Sequence, residues 1–218
     1  MIERKYVINL DRCLDRMESF DDSYTRWSAT DYRDLQDKHP IFDRMISYHS
    51  IRNTNQHKAK CGCFLSHTNI WRYIVTNKLN NTLIVEDDAE QVNDYAEGGI
   101  GDLQLPTDSF TYLGGFFHNK KMTDNTKINI ESKEGINLLD KEKYRILMTL
   151  AYFIPTWEIA EKMLEAVNKD RVRAIDVMMY NIDLPIYYHY PAIYIEKDIP
   201  STIRKGKTKH SNEYYQWV

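Results

Sequence analysis

The sequence predicts an α/β protein, a single-domain sandwich with a central, mostly parallel sheet flanked by helices. Two observations carry that expectation. Strand-like runs alternate with segments of helical period through the first half of the chain, which is the pattern of a layered α/β sheet. One of those runs, Leu83-Ile84-Val85, is suited to a buried strand and passes straight into Glu86-Asp87-Asp88. Open α/β sheets bind ligands at the carboxyl ends of their strands. Side chains alternate faces along a strand. Glu86 and Asp88 are therefore expected on one side and Asp87 on the other. Two acids on one side make a cradle for a hard divalent cation; a solvated acidic turn is the plain alternative.

The elements follow in order. Residues 5–10 read as the first strand. Asp11 is a plausible N-cap, and residues 12–20 a helix. Residues 21–39 are polar and aromatic without a clear period. Met45-Ile46-Ser47-Tyr48 suggests a second strand. Residues 58–78 form the best helix, with Phe64, Trp71, Ile74 and Val75 on an apolar face. After the acids, residues 93–107 read as a glycine-containing loop, and residues 110–113 as a short strand ending in Gly114-Gly115. Residues 118–143 look like a polar surface excursion and residues 144–154 like a strand. Thr156 caps a helix carrying Trp157, Ala160, Met163, Leu164 and Val167. Residues 174–180 suggest another short helix, residues 185–196 an aromatic extended stretch, and residues 204–210 a basic tail.

The 218 residues suit one domain, 1–218, able to bury a sizeable core. Hydrophobic residues at 42% and charged residues at 28% describe a globular chain. A formal net charge of −3 gives no reason to expect nucleic acid or a membrane surface as partner. No apolar run approaches the roughly 18 residues of a membrane helix, and the N-terminus lacks a signal-peptide core. A cytoplasmic location is the expectation, although a catalytic domain cut from a longer chain would read the same. Three cysteines, Cys13, Cys61 and Cys63, make no disulfide framework. Cys61, Cys63 and His67 have the look of half a zinc site. The second cysteine pair of a four-ligand structural site is missing.

Three segments line up in a fixed order: Val7-Ile8-Asn9-Leu10-Asp11-Arg12 with Arg16 after it, Gly62-Cys63-Phe64-Leu65-Ser66-His67, and Leu83-Ile84-Val85-Glu86-Asp87-Asp88-Ala89. The set resembles glycosyltransferase family 25, which holds lipopolysaccharide and procollagen galactosyltransferases. Tyr112-Leu113-Gly114-Gly115, Ala151-Tyr152-Phe153-Ile154 and Ile175-Asp176 are similar to its later blocks. The resemblance runs in patches over residues 5–180. It departs between 21 and 57 and after 181, regions that often shape the acceptor site.

That resemblance implies a GT-A-like fold, a UDP-galactose or UDP-glucose donor, a glycan or protein hydroxyl acceptor, and inversion at the anomeric carbon. It also implies Mn²⁺ or Mg²⁺, which would neutralise charge on the leaving diphosphate. Residues 1–115 become the nucleotide-sugar-binding half, and 116–218 the acceptor side with the C-terminal tail. Asp88 is expected to ligate the metal, with Glu86 joining it or facing the ribose. Asp87 is either a donor contact or structural. His210, or otherwise His189, is expected to complete the metal site, and Arg204, Lys205, Lys207 and Lys209 to close over the diphosphate. Asn9, Asp11, Arg12 and Arg16 are expected at the nucleotide. Gly114 and Gly115 either let backbone approach the donor sugar or make a turn. Direct displacement needs a base on the acceptor hydroxyl, for which Asp176 is the first choice and Asp183 the second. Two alternatives use the same features: a metal-dependent nucleotidyltransferase or phosphohydrolase, and a non-catalytic glycan- or partner-binding domain.

Overall fold

The computed structural model describes residues 1–36, 39–46, 55–92, 99–119 and 132–199. Strand β1 (Arg4–Asn9) leads into a 3₁₀ segment, Asp11–Ser19, and then β2 (Tyr24–Ser28). Two helices follow, the short α1 (Pro40–Arg44) and the long α2 (Asn55–Thr76). Next come β3 (Thr82–Glu86), β4 (Ala89–Gln91), β5 (Thr111–Asn119), β6 (Gly135–Leu138) and β7 (Tyr144–Ile154). Helices α3 (Trp157–Val167) and α4 (Ile175–Tyr180) precede β8 (Tyr187–Tyr190) and β9 (Tyr194–Glu196).

The strands form one mixed sheet in the order β2-β1-β3-β7-β5-β8-β6, with β4 and β9 paired beside it. β1 runs parallel to both β2 and β3, so the first half is the parallel block that alternating strands and helices imply. β7 enters antiparallel between β3 and β5. No helix among the described residues is long and apolar enough to cross a membrane.

Alternation along β3 sorts the core. Ile84 joins the larger cluster with Phe64, Ile70, Trp71 and Ile74 of α2 and Ile159, Ala160 and Met163 of α3. Leu83 and Val85 face the other side, with Leu113, Leu150, Phe153 and Ile193. Both faces of β3 are covered, and its apolar residues are inaccessible to solvent. That explains the unbroken apolar run in the sequence. Thr156 caps α3 as expected, accepting a hydrogen bond from the Ile159 amide.

Some expectations needed changing. Leu10, not Asp11, holds the cap position of the 3₁₀ segment, and no side chain caps it. The Asp11 carboxylate instead accepts from Arg26 and from Ser28, the latter at 2.8 Å. Residues 21–39 contain the edge strand β2. Among the described residues it pairs with β1 alone, and it is half-exposed on both faces, so it shows no clean two-residue period. The stretch 118–143 includes strand β6, also at an edge. Met45 makes a single parallel bridge to Val172. Ser47 and Tyr48 lie outside the described residues.

Candidate functional site

The parallel pairing of β1 and β3 brings Asn9 and the three acids to the same edge of the sheet. The strand ends at Glu86, so Asp87 and Asp88 stand in the turn that follows and strand alternation does not sort them; all three acids line one cleft, with Asp87 bonded toward β1. Its carboxylate accepts from Asn9 Nδ2 at 2.7 Å and from Arg16 Nη1 at 2.9 Å. Asn9 is itself fixed, donating also to the Cys13 carbonyl and accepting from Arg26. Of the expected nucleotide contacts, Asn9 and Arg16 are thus brought directly onto the acids. Asp11 points to β2.

Glu86 ends β3 and lines the cleft. Its Oε1 accepts from His67 Nε2 at 3.2 Å and from the Thr149 hydroxyl. Burial would raise this carboxyl, but the bonds from His67 and Thr149 outweigh it and hold it below the usual range. Asp88 behaves oppositely. Burial, reinforced by the charges of Glu86, Asp87 and Glu196, pushes it up to about 8. Its Oδ1 is buried with no hydrogen-bond partner among the described residues. Buried polar atoms are nearly always satisfied, and a buried carboxylate without a partner is the arrangement a cation would complete. Lys197 packs next to it: its amide donates to the Asp88 carbonyl at 2.7 Å, and its ammonium approaches the Asp87 carbonyl at 3.4 Å.

An open cleft of about 660 Å³, counting its mouth, lies over these acids. One wall is α2, through Ala59, Cys63, Ser66 and His67; the other is the segment 29–32 after β2. The Gly62-to-His67 motif builds both. Ser66 accepts from the Thr30 amide at 2.9 Å, and a Cβ on Gly62 would lie 2.7 Å from the Thr30 carbonyl oxygen. Gly62 and Ser66 therefore dock the second wall against the helix, while His67 reaches the acids. Gly62→Ala is expected to force that wall outward and to lower stability by about 1–3 kcal/mol. Denaturant unfolding measures the loss, and an unchanged midpoint would show that the wall yields freely. On the same wall Asp31 is gripped by Arg12 and Arg33. Burial opposes them, yet the two guanidiniums hold it down at about 2. Arg12 thus lines the cleft through Asp31 and makes no bond to the acids among the contacts described.

β7 crosses the site through an irregularity. The β5–β7 register shifts on both sides of Gly114. A Cβ on Gly114 would lie 2.6 Å from the Tyr194 carbonyl oxygen, and Gly115 has φ +151°. These glycines serve the crossing of β5 with β9 and β7. Opposite them Met148 adopts the left-handed φ of 66°, and its amide donates to Asp176 at 3.2 Å. The bulge aims the next residue, Thr149, at Glu86. Asp176 also accepts from the Val177 amide and lies near enough to Cys63 and Tyr112 to act on both electrostatically.

Cys63, His67 and Glu86 present ligand atoms within 4.8 Å of one another. Burial and the nearby Glu86, Asp176 and Asp88 push the Cys63 thiol well up, which disfavours the thiolate a metal needs. Cys61 is not part of this group, since its sulfur faces the Ile41 carbonyl in the core. His189 is buried in β8, bonded to the Pro191 carbonyl at 2.8 Å, and is separated from β3 by β5 and β7. Asp183 is exposed beyond α4. His210, Arg204, Lys205, Lys207 and Lys209 lie outside the described residues. Thr149 and Lys197 were not singled out from sequence, and Tyr152 was named only within a block of the resemblance, with no role of its own. Thr149 sits in an apolar strand run that signals core, and nothing local marks Lys197.

An α/β sheet with carboxylates gathered at its strand ends, beneath an open cleft, is a GT-A-like architecture. The sequence model of "Glycosyltransferase family 25 (LPS biosynthesis protein)" matches residues 2–179, and the chain belongs to this family. It is also similar to a "Glycosyltransferase 25 family member" of Drosophila melanogaster, 23% identical over 186 residues. That alignment covers 80% of this chain and 30% of the relative, so the chain spans under a third of the fly protein's length.

Proposed function

We propose that this chain is a metal-dependent, inverting glycosyltransferase. It moves galactose or glucose from a UDP-sugar to a hydroxyl of a glycan or hydroxylated protein. Family membership supports the reaction class. The observation that carries the metal role is Asp88: a half-buried carboxylate whose Oδ1 is buried and unpartnered among the described residues, among like charges, in the turn after a central strand. All-oxygen donors suit Mn²⁺ or Mg²⁺. Asp88 would hold the ion with Glu86, and the ion would supply Lewis-acid neutralisation of the leaving diphosphate.

The protein's own groups would do the remainder. The half 1–115 receives the nucleotide, with the nucleoside between α2 and the segment 29–32. Arg16 and Lys197 add positive charge beside the acids, where the diphosphate would lie. Asp176 takes the acceptor proton in this reading. It is preferred over Asp183 because it acts on Cys63 together with Glu86 and Asp88, whereas Asp183 is exposed beyond α4.

Calorimetric titration of UDP tests the reading, once with Mn²⁺ and once with EDTA. Binding is expected with Mn²⁺ and lost with EDTA. A folded sample that binds UDP in neither condition would remove the donor assignment. Equal binding in both would remove the metal role of Asp88. Sugar from UDP-galactose or UDP-glucose appearing on an acceptor then separates transfer from hydrolysis.

A further inference from the structure

Behind Glu86 stands a line of three side chains to which the reading above gives no role. Trp71 and Tyr152 are fully buried, and His67 is 1% exposed. Trp71 Nε1 lies 2.8 Å from the Tyr152 hydroxyl, which lies 2.8 Å from His67 Nδ1, and His67 Nε2 lies 3.2 Å from Glu86 Oε1.

The first bond sets the direction of the others. An indole N–H can only donate, so Trp71 gives its proton to the phenol oxygen. The phenol has one proton of its own, and His67 Nδ1 is there to accept it. Nδ1 is then the unprotonated nitrogen, and Nε2 carries a proton that it donates to Glu86. The opposite order, with Nδ1–H donating to Tyr152, would leave the phenol proton buried without an acceptor.

We propose that Trp71, Tyr152 and His67 are positioning residues: a one-way hydrogen-bond relay that places the His67 proton on Nε2 and so anchors Glu86 through Oε1. Thr149 bonds the same oxygen. With Oε1 bonded twice, Oε2 would be left for a ligand in the cleft that Glu86 lines. A protonated Nε2 is also no metal ligand, so the group of Cys63, His67 and Glu86 serves as scaffold and not as a second metal centre. The functional part of this inference rests on the transferase reading, because it takes Glu86 to contact donor or metal.

The relay itself is tested without substrate. Two-bond ¹H–¹⁵N correlation on histidine-labelled protein reports which ring nitrogen carries the proton. The His67 signals are identified by their loss in His67→Gln, or in His67→Asn if the first variant does not fold. The expected result is the Nε2–H form in the wild type, moving toward a mixture in Tyr152→Phe. An Nδ1–H form in the wild type overturns the relay. Kinetics test the positioning role. His67→Phe is expected to lose about 10–100-fold in kcat, the range seen when an outer partner of a metal-site ligand is removed. His67→Gln, which keeps an N–H for Glu86, should recover most of that. Wild-type kcat in a folded His67→Phe protein overturns the positioning role. A wild type that transfers from no UDP-sugar would defeat the transferase reading while leaving the nitrogen measurement decisive for the relay.

Discussion

Asp88→Asn is expected to abolish Mn²⁺-dependent UDP binding and to lower transfer by at least about a thousandfold. Lewis-acid stabilisation by a bound metal is worth several kcal/mol, and each 1.36 kcal/mol is about tenfold in rate. The fold should survive, because the substitution removes a charge that its surroundings resist. Burial first, then Glu86, Asp87 and Glu196, push this carboxyl up to about 8. In an unfolded chain it would titrate near 4. Between those two values the folded, metal-free protein binds the extra proton, so its stability falls as pH rises through the window. The contribution is whole below about pH 4 and gone above the folded value. Melting temperature measured against pH should therefore decline across this range in the wild type, decline less in Asp88→Asn, and recover at high pH when Mn²⁺ is added. A variant that binds UDP with Mn²⁺ like the wild type would end Asp88's assignment as a ligand.

Asp87→Ala should show the reverse profile. Asp87 is paired to Arg16 with side-chain exposures of 11% and 13%, and to Asn9 in the interior. Removing one member of a largely buried pair costs roughly 3 kcal/mol, here toward the lower end because both groups keep some contact with water. Chemical denaturation is the measurement. Metal-dependent UDP affinity per folded molecule should change little. Undiminished stability with lost UDP binding would make Asp87 a ligand and not a strut. The expected results would tell the two adjacent carboxylates apart by opposite phenotypes, one lost in metal-dependent binding and one in stability.

The strand that carries the acids was legible in the sequence, because Leu83-Ile84-Val85 has the unbroken apolar character of a strand covered on both faces. The expected alternation of the acids was not met, since the strand stops at Glu86 and the chain turns at Asp87 and Asp88. The helix bearing Phe64, Trp71 and Ile74 declared itself by period, and Thr156 by its position ahead of an apolar stripe. What could not be read depends on contacts distant in sequence. β2 hides because an edge strand half-exposed on both faces has no reason to alternate. Thr149 reaches Glu86 only through a bulge whose other half, Gly114 and Gly115, is more than thirty residues away. Arg12 lines the cleft, but its ion pair with Asp31, nineteen residues on, has no local signal. The two residues that pin the cleft wall, Gly62 and Ser66, were visible as a motif. Their partner Thr30 was not, since it lies in a stretch without period.

The docking of Thr30 against Gly62 has a consequence for how this cleft discriminates between ligands. Backbone meets backbone there with no side chain between, so that wall has little slack to take up. A guest entering the cleft meets a fixed gauge on this side. It spends little conformational entropy on ordering the wall, and its affinity is correspondingly improved by pre-organisation. The same stiffness makes the cleft intolerant of a bulkier guest, since accommodation would mean separating two main chains and not rotating a side chain. Selectivity on this side is thus set by the width of the gap, and a single methyl group on the helix would change its calibre.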